Sequence, residues 1–224
     1  LPRLLQPILA NPKIASVTPF ANAATLCSFP DFMMDCINID GMSVNDINKY
    51  GFNLLSNDPP VEILTGVGFC MAMNRKAIDE IGFFCEDFGR GYGEENDWCL
   101  RAREKGYLNV AATNLYVFHN HGGTFIPEEK RELLEHNLQI LHQKHPNYFA
   151  RAQKYCEDDP LQKYRLVALL MLLSHQAFST KLLVDFSLGG GTKLFQKRLI
   201  EKNGENILWL VLEFVNNNFF LTLN

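Results

Sequence analysis

The apolar positions of this chain follow two periods, and the alternation between them lays out its elements. A period near 3.6 runs through residues 1–10, where Leu4, Leu5, Ile8 and Leu9 share a face, and predicts a helix broken at Asn11-Pro12. A short apolar run at 14–17 predicts a strand closed by Pro19, and residues 20–35 carry no period. Residues 43–55 predict a second helix, opened by Ser43 with Asp46 three residues on. That is a capping-box-like start in which Asp replaces Glu or Gln. The strongest strand signal spans 61–74, interrupted by Gly66 and Gly68. Glycine inside a strand pattern marks either a bulge or a ligand approaching the backbone, and both readings stand here.

The remaining pattern is mostly helical. Residues 75–81 predict a short helix, and Gly89-Arg-Gly-Tyr-Gly93 follows as a loop with three glycines in five positions. Glu94, Glu95 and Asp97 come directly after it, then Trp98, Cys99, Leu100 and Ala102 as the apolar side of a helix stopped by Gly106. Strands are expected at 107–112 and 116–119. An amphipathic helix is expected at 127–145, opened by Pro127, with Leu133, Leu134, Leu138 and Leu141 on one side. His136, His142 and His145 read as solvated along its polar flank. Helices at 147–155 and 161–178 follow. The pattern then changes to strand (181–186), glycine turn (187–192), helix (193–202) and strand (207–214), a Rossmann-like start. The expected class is therefore α/β, divided as 1–126, a helical extension at 127–178, and the beginning of a second unit at 179–224.

Composition narrows the function without naming it. The chain has 224 residues, 47% hydrophobic and 21% charged, with a net charge of -4. No global basic field exists for nucleic acid or an anionic membrane. The six cysteines form no C-x-x-C pair and read as reduced core residues of a cytoplasmic protein. The longest apolar run, 166–173, is too short to span a bilayer.

Two groups of residues carry candidate chemistry. Three carboxylates in one first helical turn serve a solvated helix dipole in most proteins. In a cleft, the same turn offers a general base and a partner that orients it. His119 and His121, at i and i+2 beside Gly122-Gly123, could bind a metal from a strand end, although structural zinc sites want four ligands.

Five segments in order, Asn11-Pro-Lys-Ile-Ala-Ser-Val-Thr-Pro19, Gly66-Val-Gly-Phe-Cys-Met-Ala-Met-Asn-Arg75, Ile81-Gly-Phe-Phe84, Gly91-Tyr-Gly-Glu-Glu-Asn-Asp97 and Val117-Phe-His119, carry a resemblance. Together they resemble the family 2 glycosyltransferases of the GT-A fold, in particular the bacterial rhamnosyltransferase-like enzymes of surface polysaccharide assembly. The resemblance spans residues 1–125, with the helical tail to about 173. Residues 181–214 more weakly resemble the opening of a GT-B-type domain.

The resemblance implies a mixed-sheet GT-A domain of which this chain holds the C-terminal, acceptor half. The donor half, with the family's Asp-x-Asp motif, is expected upstream of Leu1, since no Asp-x-Asp occurs here. This polypeptide alone is then expected not to catalyse transfer. The family's Glu-Asp pair falls on Glu94-Glu95, which makes Glu95 the base, with Glu where Asp is usual. Glu94, Asp97, Gly66 and Gly68 are the expected substrate-binding residues: Asp97 by acceptor contact or loop support, the glycines on the strand beneath the sugar. His119 is the expected ligand of Mg²⁺ or Mn²⁺ on the donor diphosphate, and His121 is a poorer match. The implied reaction moves a sugar from a nucleotide-diphosphate sugar to a hydroxyl acceptor with inversion. The acceptor would be a saccharide or lipid-linked, the latter bringing peripheral contact at the inner face of a membrane. The competing reading is a non-catalytic carbohydrate- or metal-binding module. A carboxylate-pair hydrolase fits less well, because adjacent carboxylates on one turn cannot flank a glycosidic bond.

Overall fold

A computed structural model describes residues 1–36, 41–89, 91–120, 127–176, 179–185, 191–202, 207–215 and 218–223. The chain is mixed α/β and forms two compact units, Leu1–Ala168 and Leu169–Asn224. The division falls inside a helix of the segment expected as a helical extension at 127–178.

In the first unit, α1 (Pro2–Ala10) leads into β1 (Ile14–Ala21). Then come α2 (Val44–Asp46), β2 (Val61–Ile63), β3 (Ala72–Met73), α3 (Arg75–Ile81), α4 (Glu94–Glu104) and β4 (Leu108–Val117). The helices α5 (Pro127–Lys144) and α6 (Tyr148–Asp158) follow, then α7 (Gln162–Gln176), whose first half belongs to this unit. The sheet order is β2-β4-β1-β3, with β1 and β4 parallel in the centre and an antiparallel strand on each edge. Parallel central strands need both faces covered. One face takes α1, through Leu4 and Ile8 against Ile14, Val17 and Val110. The other takes α3 and α4, through Trp98, Cys99 and Ala102 against Ala15 and Ala77. Phe20, Phe29, Phe52 and Tyr116 stack at the sheet's end with ring separations of 5.0–6.0 Å.

Four local expectations change. Leu5 and Leu9 do not share the packed face of α1; Leu9 is 81% exposed, because α1 meets the sheet along Leu4 and Ile8 only. Pro19 does not end β1, which runs to Ala21. Its missing N–H falls where the pairing with β4 shifts register, between Pro19 and Phe20, and where β3 no longer reaches. The same irregularity, at Thr113–Leu115 of β4, explains why one strand reads as two in the sequence. Beyond its capping box at Ser43 and Asp46, α2 continues as π-helix (Ile47–Phe52) and 3₁₀-helix (Asn53–Asn57).

The largest change concerns residues 61–74. They form no single strand: β2 pairs with β4 on one edge, and β3 pairs with β1 on the other. Residues 64–71 cross between the edges. Hydrogen bonds to side chains pin the crossing: the Gly66 amide donates to Cys99 Sγ at 3.2 Å, and the Val67 amide to Thr18 Oγ1 at 3.2 Å.

In the second unit, β5 (Ser179–Asp185) and β6 (Ile207–Val215) are parallel and joined through α8 (Gly191–Lys202), the expected strand–helix–strand unit. A third strand, β7 (Asn218–Leu223), pairs antiparallel with β6. Residues 186–190, which carry most of the glycine turn, lie outside the described residues. Among the described residues no helix is long and apolar enough to cross a membrane.

Candidate active site

The site is built on the start of α4. Gly91, Tyr92 and Gly93 hold φ of 127°, 67° and 119°, so three successive residues occupy the left-handed half of backbone space. Gly93 is the N-cap, and the Asp97 amide donates to its carbonyl at 2.9 Å to open the helix. A Cβ on Gly93 would lie 3.0 Å from the Phe88 ring, so both the space and the backbone angle exclude larger residues. The loop's glycines therefore deliver the carboxylates where the sequence predicts them, in the first turn.

Beneath α4 a buried polar network joins it to the sheet. Asn109, fully buried on β4, accepts from Ser16 Oγ at 2.8 Å and donates to the Cys99 carbonyl at 3.0 Å. Burial pushes the Cys99 thiol up to about 11 and Cys27 to about 12, so both are inert, protonated core groups. Only these two cysteines are fully buried; the other four are half-buried, against the expectation of six core residues.

The three carboxylates diverge. Glu95 Oε2 accepts from the Gly93 amide at 3.2 Å, and its carboxyl group lies over Gly68. A Cβ on Gly68 would sit 3.7 Å from Glu95 Cδ and Oε1. Gly68 is thus the floor under Glu95. Gly66 is different: a Cβ there would fall 2.4 Å from Met71 Sδ and 3.0 Å from Thr18 Oγ1, so its smallness serves the crossing itself. Glu94 turns toward Gly91, and its Oε2 is buried without a hydrogen-bond partner. Burial, then the Glu95 charge and a hydrogen bond with Glu95, raise the Glu94 carboxyl above the usual range.

Asp97 does not face the cleft. It is 2% exposed; Oδ2 accepts from Arg101 Nε at 2.8 Å, and Oδ1 meets His145 Nε2 at 2.9 Å. Arg101 also donates to the carbonyls of Ile81 and Phe83 at 2.9 Å each. These contacts tie Asp97 to its own helix and to the end of α5. His145 is correspondingly not solvated: its side chain is 9% exposed and also lies 3.5 Å from Glu104. The sequence hides this pair because its partners lie 48 residues apart.

His119 sits at the other end of the 66–69 crossing. Its ring stacks on Phe69 with centroids 4.7 Å apart, while Glu95 lies against the neighbouring Gly68. Asn22 clamps the His119 backbone in both directions, at 2.7 and 3.0 Å. The Ala23 carbonyl lies 2.6 Å from His119 Nδ1, which places a proton on that nitrogen. That is the tautomer control found in metal-binding histidines. A metal site is nonetheless not assembled: no three His, Cys, Asp or Glu side chains converge among the described residues. His119 fits as one ligand at most. His121 lies outside the described residues.

An open cleft of about 180 Å³ lies beside Glu95, lined by Thr25, Tyr92, Gly93, Asn96, Leu134, Asn137, Leu138 and Leu141. No protein-family model, no characterised protein and no solved structure matches the chain. The site must therefore be read from its own chemistry. Sequence reasoning missed two contributors to it. Asn137 of α5 is buried among leucines and bonds the glycine loop; its signal was a polar residue at a core-facing position of the helical period. Tyr148 of α6 shares a hydrogen bond with Thr65 in the crossing, and burial drives its hydroxyl up to about 12.

A larger cavity, about 580 Å³, lies between α1, β4 and the 56–60 loop, on the sheet face away from α4. It holds none of the candidate residues.

Proposed function

We propose that the first unit is the acceptor side of a GT-A-type, family 2-like glycosyltransferase, with Glu95 as the general base. The observation that carries this reading is the setting of Glu95: a carboxylate oriented by the Gly93 amide, floored by Gly68, and lining an open cleft. Inverting transfer needs one carboxylate that takes the proton of an acceptor hydroxyl as it attacks the anomeric carbon, while the nucleotide diphosphate leaves from the opposite face. Glu94 turns away toward Gly91, which leaves Glu95 as the carboxylate against Gly68.

The order of the sheet supports the same reading, with two parallel strands flanked by an antiparallel edge strand, β3, that leads into the helices before the carboxylates. Mg²⁺ or Mn²⁺ is proposed as the ion accompanying the donor diphosphate, with His119 as one ligand. A hard ion wants mainly oxygen ligands, and the described residues supply no such set, so no step here runs through it. The acceptor is proposed to be a saccharide hydroxyl, free or lipid-linked.

The test is transfer by the native polypeptide that carries this sequence. A panel of uridine-, guanosine- and thymidine-diphosphate sugars with Mn²⁺ and glycoside acceptors would be followed by mass spectrometry of the product. Glu95→Gln keeps the size and the Gly93 contact and removes the base, so turnover is expected to fall by about 10²–10⁴-fold while substrate binding persists. A binding module without chemistry gives no product with either form. Product formation unaffected by Glu95→Gln would refute the base assignment.

A further inference from the structure

An amide buried among leucines needs a reason, because it costs free energy that a leucine would not. Asn137 lies on the packed side of α5 and is 1% exposed. Its Nδ2 donates to the Phe88 carbonyl at 2.8 Å and to the Gly91 carbonyl at 2.7 Å. Two carbonyl acceptors on one nitrogen fix the orientation of the amide, and Oδ1 is left buried without a partner. Those carbonyls bracket the turn into the glycine loop. The loop holds positive φ at Gly91, Tyr92 and Gly93, and tyrosine adopts that conformation only when something holds it.

The contacts form a relay. Asn137 holds the Gly91 carbonyl; two residues on, the Gly93 amide donates to Glu95 Oε2 at 3.2 Å. The methylene of Asn137 also packs where a Cβ on Gly93 would be 3.9 Å away. The same helix closes the arrangement from below, since His145 at its end bonds Asp97. Leu141, one turn beyond Asn137, packs with Phe88 and Leu100 in the core between α5 and α4. Hydrophobic packing alone would dock α5; the paired hydrogen bonds add a defined backbone conformation to the docking.

We propose that Asn137 is a positioning residue for Glu95: it holds the 91–93 backbone in the left-handed conformation from which the Gly93 amide orients the carboxylate. The inference rests on the reading of Glu95 as the base. It assigns α5 a part in the chemistry of this site, although the helix lies more than thirty residues downstream of the carboxylates.

Asn137→Asp preserves the shape but cannot donate to either carbonyl; Asn137→Ala removes the donors without adding charge. With the best donor and acceptor from the panel above, both variants are expected to lose about 10- to 100-fold in kcat with little change in donor KM. Amide hydrogen exchange of residues 91–96 should accelerate at least about tenfold while the amides of β1 and β4 keep their protection. Should the Asp variant fail to fold, the Ala variant and its exchange pattern decide alone. Normal kcat in a folded variant, or unchanged exchange in the loop, overturns the proposal. Glu95→Gln run alongside separates the two readings. Turnover kept by Glu95→Gln refutes the base assignment on which this inference rests; turnover lost there but kept by both Asn137 variants refutes the positioning role alone.

Discussion

Asp97→Ala gives the most direct test of how the carboxylate turn is held. Both oxygens of Asp97 are engaged, one by Arg101 at 2.8 Å and one by His145 at 2.9 Å, and the side chain is almost free of solvent. Removing one member of a fully buried charged pair costs about 3–5 kcal/mol. Two features lower that figure here. The Arg101 side chain keeps 26% of its surface exposed and retains the Ile81 and Phe83 carbonyls, so it is not stranded. His145, at 9% exposed, keeps only the looser approach to Glu104 at 3.5 Å. About 2–3 kcal/mol is the expected loss once the arginine's share is discounted. For a unit of this size each kcal/mol shifts Tm by about 2–4 °C, which gives a drop of about 4–12 °C. Differential scanning calorimetry measures it, with Asp97→Asn as the companion that keeps the volume and an acceptor for Arg101. A drop under about 2 °C for Asp97→Ala would show that this pair does not hold α4 to α5.

Two further tests probe the crossing and the paired glutamates. Gly66→Ala places a Cβ 2.4 Å from Met71 Sδ and 3.0 Å from Thr18 Oγ1. Met71 can swing away but Thr18 is tied to the Val67 amide, so a cost of about 1–3 kcal/mol in urea unfolding is expected, partly relieved by Met71→Ala; an unchanged midpoint refutes the packing argument. Glu94 binds its proton more tightly folded than unfolded, because burial and Glu95 raise it. The folded state therefore carries more protons between the two pKa values, and stability falls as pH rises through that window. Glu94→Gln, permanently neutral, should be more stable than the parent at pH 8, with the gap closing as pH falls toward about 4; equal midpoints at both pH values would show that Glu94 is not strained by its setting.

What was legible in the sequence was local. The helical period, the Ser43–Asp46 box and the glycine triplet ahead of Glu94 act within a few residues, and each element appears at its expected place. The parallel pair β5 and β6 was legible because a strand, a helix and a second strand in sequence leave little choice of pairing, although β5 is not the buried strand its apolar run suggests, with Leu182 and Val184 exposed. Residues 61–74 mark the limit. Their apolar pattern is that of one strand, but strand pairing is decided by partners far away, and β4 and β1 take the two ends on opposite edges of the sheet. Pro19 lies inside β1 where β4 shifts register opposite it and where β3, paired only at Ser16 and Val17, no longer reaches.

The site divides along the same line. The sequence alone determined that carboxylates start a helix behind a glycine loop, because backbone freedom and helix polarity are properties of adjacent residues. Which carboxylate faces the cleft was decided by tertiary structure. Glu95 meets Gly68, Asp97 is drawn inward by Arg101 and by His145 of a distant helix, and Glu94 is left half-buried beside its neighbour. Three acidic residues within one turn point about 100° apart per residue, so each meets a different environment, and only packing from remote elements assigns those environments.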